Sequence, residues 1–264
     1  MKRILLAAAC LAAIAFHGTA RAADASLQNV KAKAKLVMGL DDAFPPMGFR
    51  NEDNEIVGYD VDLAKEVAKR LGVTLVPQPI DWNAKEQELN TGAIDCIWNG
   101  FTITEQRKQA VLFTKPYLKN AQVVVVKKGS PFTTLASLKG KKVGLQAGSS
   151  AAGALEGAKE FRASLKQVVE FKDNLTALMD LEVGGVDAVV MDLILANDNI
   201  KRSGKPYVVL KESLAPEVFG VGFRKNDVAL RDAVQATLEA MAKDGTIAKL
   251  STKWFGSDIS VVGK

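Results

Sequence analysis

The segment that follows the apolar run Ile94–Trp98 carries the side chains best suited to binding a small anion. Gly100 allows a backbone to approach a ligand closely, Thr102 offers a hydroxyl group and Arg107 offers a guanidinium. A guanidinium can form two parallel hydrogen bonds with a carboxylate. Alone, Arg107 would better fit an exposed residue near a helix start, but its spacing from Thr102 favours a carboxylate site.

A second candidate anion site lies in the run Val143–Gly153, which reads as a strand, a turn of small residues and a helix start. Such a turn directs backbone N–H groups and the positive end of a helix dipole towards an anion. The run lacks the Lys-Ser/Thr pair of a nucleotide-binding P-loop. A carboxylate therefore fits better than a nucleotide, and an ordinary strand-to-helix turn stays an equal alternative.

Asp192 is a candidate for binding a cation, because it stands inside the apolar run Val189–Leu195. A carboxylate in such a run must be paired, be solvated or cap a helix. At a strand end facing a cleft it would bind an ammonium group. Helix capping remains open as an alternative or an additional role.

Aromatic residues follow two other predicted strands. Phe44 comes shortly after Asp41 and Asp42, and Trp82 follows Asp81. Two aromatic rings at strand ends would sandwich an apolar or cationic side chain. Both residues would also fit an ordinary hydrophobic core.

The elements that position these residues alternate between strands and helices, which predicts α/β layers with largely parallel sheets. Two segments of the chain are similar to each other: the segment 92–97 and the segment 184–189 each follow a predicted helix and open a predicted strand. Two lobes of similar build are the simplest interpretation. Because open parallel sheets bind ligands at the carboxyl ends of their strands, we expect the site in a cleft between the lobes. The predicted strands are 35–40, 73–76, 94–98, 122–127, 142–145, 168–171, 186–191, 207–210 and 219–224, and the predicted helices are 60–71, 84–90, 108–112, 135–138, 150–161, 174–183, 193–201, 227–244 and 247–254.

The first residues predict export. Lys2 and Arg3 precede the apolar run Ile4–Phe16, and Ala20-Arg21-Ala22 offers the small-residue pattern of a cleavage site, which places the cut after Ala22, with Ala23 as the less favoured end. The apolar run is shorter than the roughly 20 residues that a bilayer span requires. A retained anchor and a lipid-modified Cys10 are the weaker alternatives.

Removal of this leader limits the catalytic and metal-binding side chains that the mature protein can use. The sole histidine, His17, leaves with it, so histidine-based triads and metal sites are excluded and we expect no metal and no cofactor. Cys96 then stands alone, as a buried small hydrophobe rather than a nucleophile. Three of the leader's cationic residues contribute to the net charge of +5, so the mature charge of +2 argues little for nucleic acid.

Taken together, these segments resemble the polar amino-acid-binding branch of the periplasmic solute-binding proteins, the receptors of ABC importers. The resemblance runs from about residue 35 to residue 256. It implies a two-lobed type II fold of the α/β class, with two mixed, mostly parallel sheets joined by a two-strand hinge. The matching stretches are 41–46, 58–63, 100–104 with Arg107, 146–150, 187–189 and 254–256.

The resemblance also implies roles for individual residues. Arg107 would clamp the ligand α-carboxylate with Thr102 and the backbone of Ser150, and Asp192 would bind the α-ammonium with a carbonyl of Asn99 or Gly100. Phe44 and Trp82 would flank the ligand side chain. The ligand-binding residues expected from it are Asp41, Phe44, Trp82, Asn99, Gly100, Thr102, Arg107, Gln146, Ser150 and Asp192.

Asp41 and Gln146 would line the specificity pocket, and Asn99 stands where relatives often carry a smaller residue. The resemblance further implies that the first lobe is discontinuous and that the protein is a monomer. The expected divisions are a signal peptide at 1–22, a first lobe at 23–119 and 216–264, a second lobe at 120–215, and hinge strands near 120–122 and 217–220.

The function expected from the resemblance is capture of a free L-amino acid and its delivery to a membrane permease. Asp41 favours a polar or cationic ligand such as glutamine, arginine or lysine, and cystine is nearly as plausible. An enzyme resembling cyclohexadienyl dehydratase is disfavoured, since the mature chain has no histidine and no evident nucleophile–base pair. A sensory ligand-binding module that presents its ligand to a separate receptor is the other alternative.

Overall fold

The computed structural model describes residues 24–264, which form two five-stranded sheets, a small three-stranded sheet and the helices that cover them. The predicted leader and its cleavage site lie outside the described residues. Within residues 24–264, no helix combines the length and the apolar character needed to cross a bilayer.

The strands of the described region are short except for two. They are β1 (Lys35–Leu40), β2 (Ala43–Phe44), β3 (Gly48–Arg50), β4 (Ile56–Val57), β5 (Thr74–Pro79), β6 (Cys96–Ile97), β7 (Val111–Phe113), β8 (Leu118–Lys127), β9 (Lys142–Gln146), β10 (Gln167–Phe171), β11 (Ala188–Asp192), β12 (Tyr207–Phe219) and β13 (Gly222–Arg224). The helices are α1 (Ser26–Ala32), α2 (Tyr59–Leu71), α3 (Lys85–Thr91), α4 (Glu105–Ala110), α5 (Ser150–Gly157), α6 (Lys159–Ser164), α7 (Asn174–Val183), α8 (Leu193–Ser203), α9 (Val228–Lys243) and α10 (Thr246–Phe255).

The two large sheets have the same plan. The first has the strand order β5-β1-β6-β13-β7 and the second has the order β10-β9-β11-β8-β12. In each sheet the first three strands are parallel, and the fourth runs antiparallel to both of its neighbours. Segments 92–97 and 184–189 are similar because they occupy the same position in the two sheets. Each leads into the third strand of its sheet, β6 and β11 respectively.

Both sheets are buried on both faces, as expected for α/β layers. Along β8, Val123 and Val125 pack into one apolar cluster, whereas Val124 and Val126 pack into another on the opposite face. This alternation is the period of two that a strand imposes. Cys96 is fully buried in the first lobe, and burial raises the pKa of its thiol, which confirms the interpretation of Cys96 as a core residue.

Two long strands join the lobes. β8 and β12 pair antiparallel from Leu118 opposite Phe219 to Lys127 opposite Tyr207. At the Phe219 end the pair reaches the first lobe, where Phe219 bridges to Thr102. This pair is the connection of the two-lobed type II fold.

The structure corrects several predicted elements. The predicted helix 108–112 is wrong at its end, because α4 stops at Ala110 and β7 begins at the β-branched Val111. The predicted helix 150–161 is two helices that meet at Ala158, and the strand predicted at 207–210 extends to Phe219. α1 and the small sheet β2-β3-β4 were not predicted, because each is too short to show a clear period.

Candidate functional site

The ligand-binding residues expected from the sequence converge on the cleft between the lobes. All except Asp41 line one small cavity, and Ser149 lines it as well. Asp41 lies behind this lining and contacts it through Gln146. The lining residues are Phe44, Trp82, Asn99, Gly100, Thr102, Arg107, Gln146, Ser149, Ser150 and Asp192.

Arg107 provides the positive charge of the cavity. Thr104 caps α4 by accepting a hydrogen bond from the Arg107 N–H at 3.1 Å, which fixes the start of this short helix. The guanidinium lies over the Phe101 ring and donates to the Thr102 carbonyl at 2.9 Å and to the Gly148 carbonyl at 3.1 Å. Among residues 24–264 it forms no salt bridge, and desolvation lowers its pKa.

Asp192 provides the negative charge and is contributed by the other lobe. It ends β11 and precedes α8, and its buried carboxylate accepts a hydrogen bond from Asn120 Nδ2 at 2.5 Å. Its side chain does not cap α8. Burial, with a smaller contribution from the nearby carboxylate of Glu217, raises the pKa of Asp192 to about 7. Within the described part of the chain, no Lys or Arg forms a salt bridge with it.

Hydroxyl groups from both lobes meet between these charges. Ser150 Oγ donates to Thr102 Oγ1 at 3.1 Å, and Thr102 Oγ1 donates to Glu217 Oε2 at 3.1 Å. Ser149 precedes α5 and caps it by accepting a bond from the Ala151 N–H. The remaining N–H groups of this turn are of the kind that bind an anion.

Aromatic rings form the walls of the cavity. Phe44 and Trp82 are both buried, and Trp82 packs edge-on against Phe101 with ring centroids 5.7 Å apart. Phe44 lies against the backbone of Gly100, where an added Cβ would approach its ring to 2.9 Å. Gly100 also has a φ of +56°, so both the close approach and the backbone conformation require glycine there.

A polar cluster lies at the end of the cavity away from Arg107. Gln146 Nε2 donates to Asp41 Oδ2 at 2.7 Å, and Gln146 Oε1 accepts from Asn174 Nδ2 at 2.8 Å. Asn99 Oδ1 accepts from the Asp41 N–H at 3.1 Å, while Asn99 Nδ2 is buried without a partner among the described residues. Burial raises the pKa of Asp41 to about 6. This cluster joins the two lobes, since Asp41 follows β1 and Gln146 ends β9.

Lys85 makes a further contact between the lobes. Its buried ammonium donates to the Trp82 carbonyl at 3.1 Å and, across the cleft, to the Gly148 carbonyl at 2.8 Å. Burial lowers the pKa of Lys85 to about 8, with a smaller contribution from Arg107. Together with the contacts of Arg107 and Ser150, this bond places the lobes in a closed arrangement.

Asp60 supports the cavity from within the first lobe. This fully buried carboxylate accepts hydrogen bonds from the Gly100 N–H at 2.7 Å and from Tyr117 Oη at 2.8 Å. Burial raises the pKa of Asp60 to about 7. Asp60 therefore holds the backbone of Gly100 in place without lining the cavity.

Sequence reasoning did not assign Ser149, Lys85, Asp60 and Glu217 to the site. Ser149 and Asp60 belong to motifs that carried the resemblance, so those motifs were a signal for them. Lys85 lies in a polar stretch that is typical of exposed surface, and Glu217 lies in a predicted hinge strand. Their positions depend on the approach of distant segments, which local patterns do not report.

Solved structures of high similarity have the same fold. The structure of Tv2483 bound to L-arginine matches with a TM-score of 0.88 and 36% identity, covering 91% of this chain and 98% of that chain. A substrate-binding protein of an ABC uptake transporter from Streptococcus pneumoniae, with bound histidine, matches with a TM-score of 0.87 and 36% identity, covering 90% and 99%. The type II binding-protein fold is therefore established.

Sequence comparison agrees with the structural match. The L-cystine-binding protein TcyJ of Escherichia coli (strain K12) is 32% identical over 268 residues, which cover 98% of this chain and 97% of that protein. The family model of the bacterial extracellular solute-binding proteins, family 3, matches residues 36–257. The chain belongs to the bacterial extracellular solute-binding proteins, family 3.

Proposed function

We propose that this protein captures a free L-amino acid in the interlobe cavity and delivers it to the permease of an ABC importer. One observation carries the proposal. Arg107 of the first lobe and Asp192 of the second lobe line the same cavity, and neither forms a salt bridge among residues 24–264. A zwitterion supplies both missing partners in one molecule.

Arg107 and Asp192 are desolvated in the cavity, which favours a ligand that carries charges of its own. A charge removed from water is stabilised only when it is paired and hydrogen-bonded. The guanidinium, the hydroxyl groups of Thr102 and Ser150 and the turn before α5 would bind the α-carboxylate. Asp192 and the carbonyl of Asn99 or Gly100 would bind the α-ammonium. A ligand with only one of these groups would leave the other protein charge unpaired.

The far end of the cavity favours a polar or cationic side chain. Phe44 and Trp82 form an aromatic passage, and Asp41 and Gln146 lie at its end. Aromatic faces and a carboxylate both attract a cation. The relatives named above bind arginine, histidine or cystine, all of which carry polar groups beyond the α-carbon.

Ligand binding would close the lobes about the two long strands. We place the hinge near 120–122 of β8 and 217–220 of β12, with the first lobe at 23–119 and 216–264 and the second at 120–215. In closure of this kind a few residues at the ends of elements absorb the change in backbone angles. The closed form, as a monomer in the periplasm after cleavage near Ala22, would dock on the permease.

A thermal-shift screen of the mature protein with the common L-amino acids and cystine tests this function. A ligand present at a hundred times its dissociation constant stabilises the folded state by about 2.7 kcal/mol, which raises the melting temperature measurably. We expect a shift with polar or cationic L-amino acids and none with the decarboxylated amines. If no amino acid shifts the melting temperature, amino-acid binding is wrong.

We propose binding without chemical transformation. The titratable groups of the cavity are Arg107 and Asp192, whose charges match a ligand rather than a nucleophile–base pair. The amino acid recovered after incubation should be unchanged. Turnover of a prephenate-like acid by the purified protein would instead favour the dehydratase alternative.

A further inference from the structure

Glu217 lies on β12 beside the cavity, opposite Asn120 on β8. Its Oε2 atom accepts hydrogen bonds from Thr102 Oγ1 at 3.1 Å, from Asn120 Nδ2 at 3.1 Å and from Gln122 Nε2 at 3.0 Å. Hydrogen bonds to an ionised acceptor are roughly twice as strong as those between neutral groups. One carboxylate oxygen therefore holds donors from the first lobe and from the connecting strand.

Each of these donors leads on to a residue of the cavity. Asn120 Nδ2 also donates to Asp192 Oδ1 at 2.5 Å, so one amide group bridges the two carboxylates. Gln122 Nε2 also donates to Ser150 Oγ at 3.2 Å, and Ser150 Oγ donates to Thr102 Oγ1 at 3.1 Å. Through single side chains, Glu217 reaches Asp192 on one side and Ser150 on the other.

The charges around Asp192 come from different elements. Glu217 of β12 is the neighbouring anion, Arg107 of α4 is the neighbouring cation, and the amides of Asn120 and Gln122 on β8 are neutral. Glu217 has no salt-bridge partner among residues 24–264. Its charge is therefore compensated mainly by hydrogen bonds, and it acts on Asp192 as a like charge.

We infer that Glu217 is a positioning residue of the amino-acid site, which fixes Asn120, Gln122 and Thr102 in the closed arrangement and acts through its negative charge on the ammonium-binding Asp192. This inference rests on the proposed amino-acid binding. Glu217 need not touch the ligand, because its influence reaches the ligand through these neighbours.

The sign of the effect follows from the two carboxylates. Burial and, to a smaller extent, the charge of Glu217 together raise the pKa of Asp192 to about 7. As the pH falls through this value, Asp192 is protonated and the ligand ammonium loses its counter-charge, so affinity falls. Removing the charge of Glu217 lowers the pKa of Asp192 and moves this loss of affinity to lower pH.

Titration calorimetry of the full mature protein, from about pH 5 to about pH 8.5, tests the inference with the L-amino acid that gives the largest thermal shift. We expect Glu217→Gln to bind about 5- to 20-fold more weakly at pH 8, through the loss of charge-assisted hydrogen bonds. Its fall in affinity at acidic pH should begin about half a pH unit or more below that of the wild type. Glu170→Gln, on the exposed face of β10, is the matched control and should behave as the wild type.

Glu217→Asp separates charge from geometry. Its shorter side chain should weaken binding at pH 8, while its retained charge should keep the acidic fall in affinity at the wild-type pH. If the Glu217→Gln profile coincides with that of the wild type, or if the Glu217→Asp profile moves as far as that of Glu217→Gln, the inference is wrong. If the wild type binds no amino acid, the proposed function fails first, which the same titration shows separately.

Discussion

At one end of the cavity, Arg107 and Asp192 form no salt bridge among residues 24–264, whereas at the other end Asp41, Gln146 and Asn174 already satisfy one another by hydrogen bonds. A ligand gains the most where the protein's own charges are unpaired, because it replaces lost hydration with strong charge-assisted bonds. It gains less where it must compete with existing bonds. We therefore propose that the first end selects a class of ligand and that the second selects among its members.

The largest expected effect is that of Arg107→Ala. It should weaken amino-acid binding by at least 100-fold, corresponding to about 3 kcal/mol or more, since it leaves the ligand carboxylate desolvated and unpaired. Calorimetry measures this loss. The ligand-free melting temperature should change little, because removing a desolvated charge that forms no salt bridge within residues 24–264 offsets the loss of its hydrogen bonds to the Thr102 and Gly148 carbonyls. Arg162→Ala, whose half-exposed side chain on α6 pairs with Glu156 outside the cavity, is the control. Unchanged affinity would remove Arg107 from the site.

Asp192→Asn should be the next largest effect. It removes the charge but keeps the shape, so we expect an affinity loss of roughly 10- to 100-fold for amino acids, or about 1.5–3 kcal/mol. Binding of the corresponding acid without an amino group should be no weaker than in the wild type. Asp53→Asn, at an exposed turn, serves as the control. Equal losses for both ligands would show that Asp192 does not bind the ammonium.

The same variant makes a prediction about the pH dependence of ligand-free stability. The folded pKa of Asp192 is about 7, above its ordinary value of 3.8, so the stability it contributes is complete below about pH 4 and is lost as the pH rises through 7. Asp192→Asn should escape this loss and gain about 1 kcal/mol or more on the wild type between pH 4 and pH 8. Urea unfolding at both pH values measures the difference. Asp60 contributes equally to the pH dependence of both proteins, so its contribution cancels in the difference between them. A constant difference between the two proteins would mean that Asp192 is not buried as a free carboxylate.

The smallest effect should come from the far end of the cavity. Asp41→Asn keeps the size of the side chain but removes its charge, so cationic amino acids should lose about 3- to 10-fold in affinity relative to neutral ones, or roughly 1 kcal/mol. Competition calorimetry with a cationic and a neutral ligand measures this ratio. Asp42→Asn, whose carboxylate pairs with Arg50 outside the cavity, should leave the ratio unchanged. A loss as large as that of Arg107→Ala would contradict the division between the two ends.

Much of the fold was predictable because its signals are local. The α2 helix was predicted within one residue, since its apolar face and the left-handed Gly72 at its end are encoded in a short window. α7 was predicted at its observed bounds, Asn174–Val183. The extension of β12 to Phe219 was not, because its outer half has no regular alternation and is held by pairing with β8.

The residues of the candidate site likewise divide into those with a local sequence signal and those without one. Phe44, Trp82, Thr102 and Ser150 follow strand ends or open a helix, and a sheet brings such places together by its construction. Asp192 showed its importance through the apolar run around it. Lys85 carried no such signal, because a lysine near a helix start is ordinarily exposed. Its burial results from the approach of the Gly148 turn, 63 positions away.

By itself, the sequence determined the alternation of strands and helices, the repeated plan of the two lobes and the residue types at the strand ends, because periodicity, capping and turn preferences act over a few neighbouring residues. Only the tertiary structure decided that Arg107 and Asp192 line one cavity without forming a salt bridge within residues 24–264, and that Asn120 connects Glu217 to Asp192. Thr102 and Glu217 are 115 positions apart in the chain. Burial, pairing and the pKa of a carboxylate depend on such distant neighbours, which are brought together only when the chain is folded.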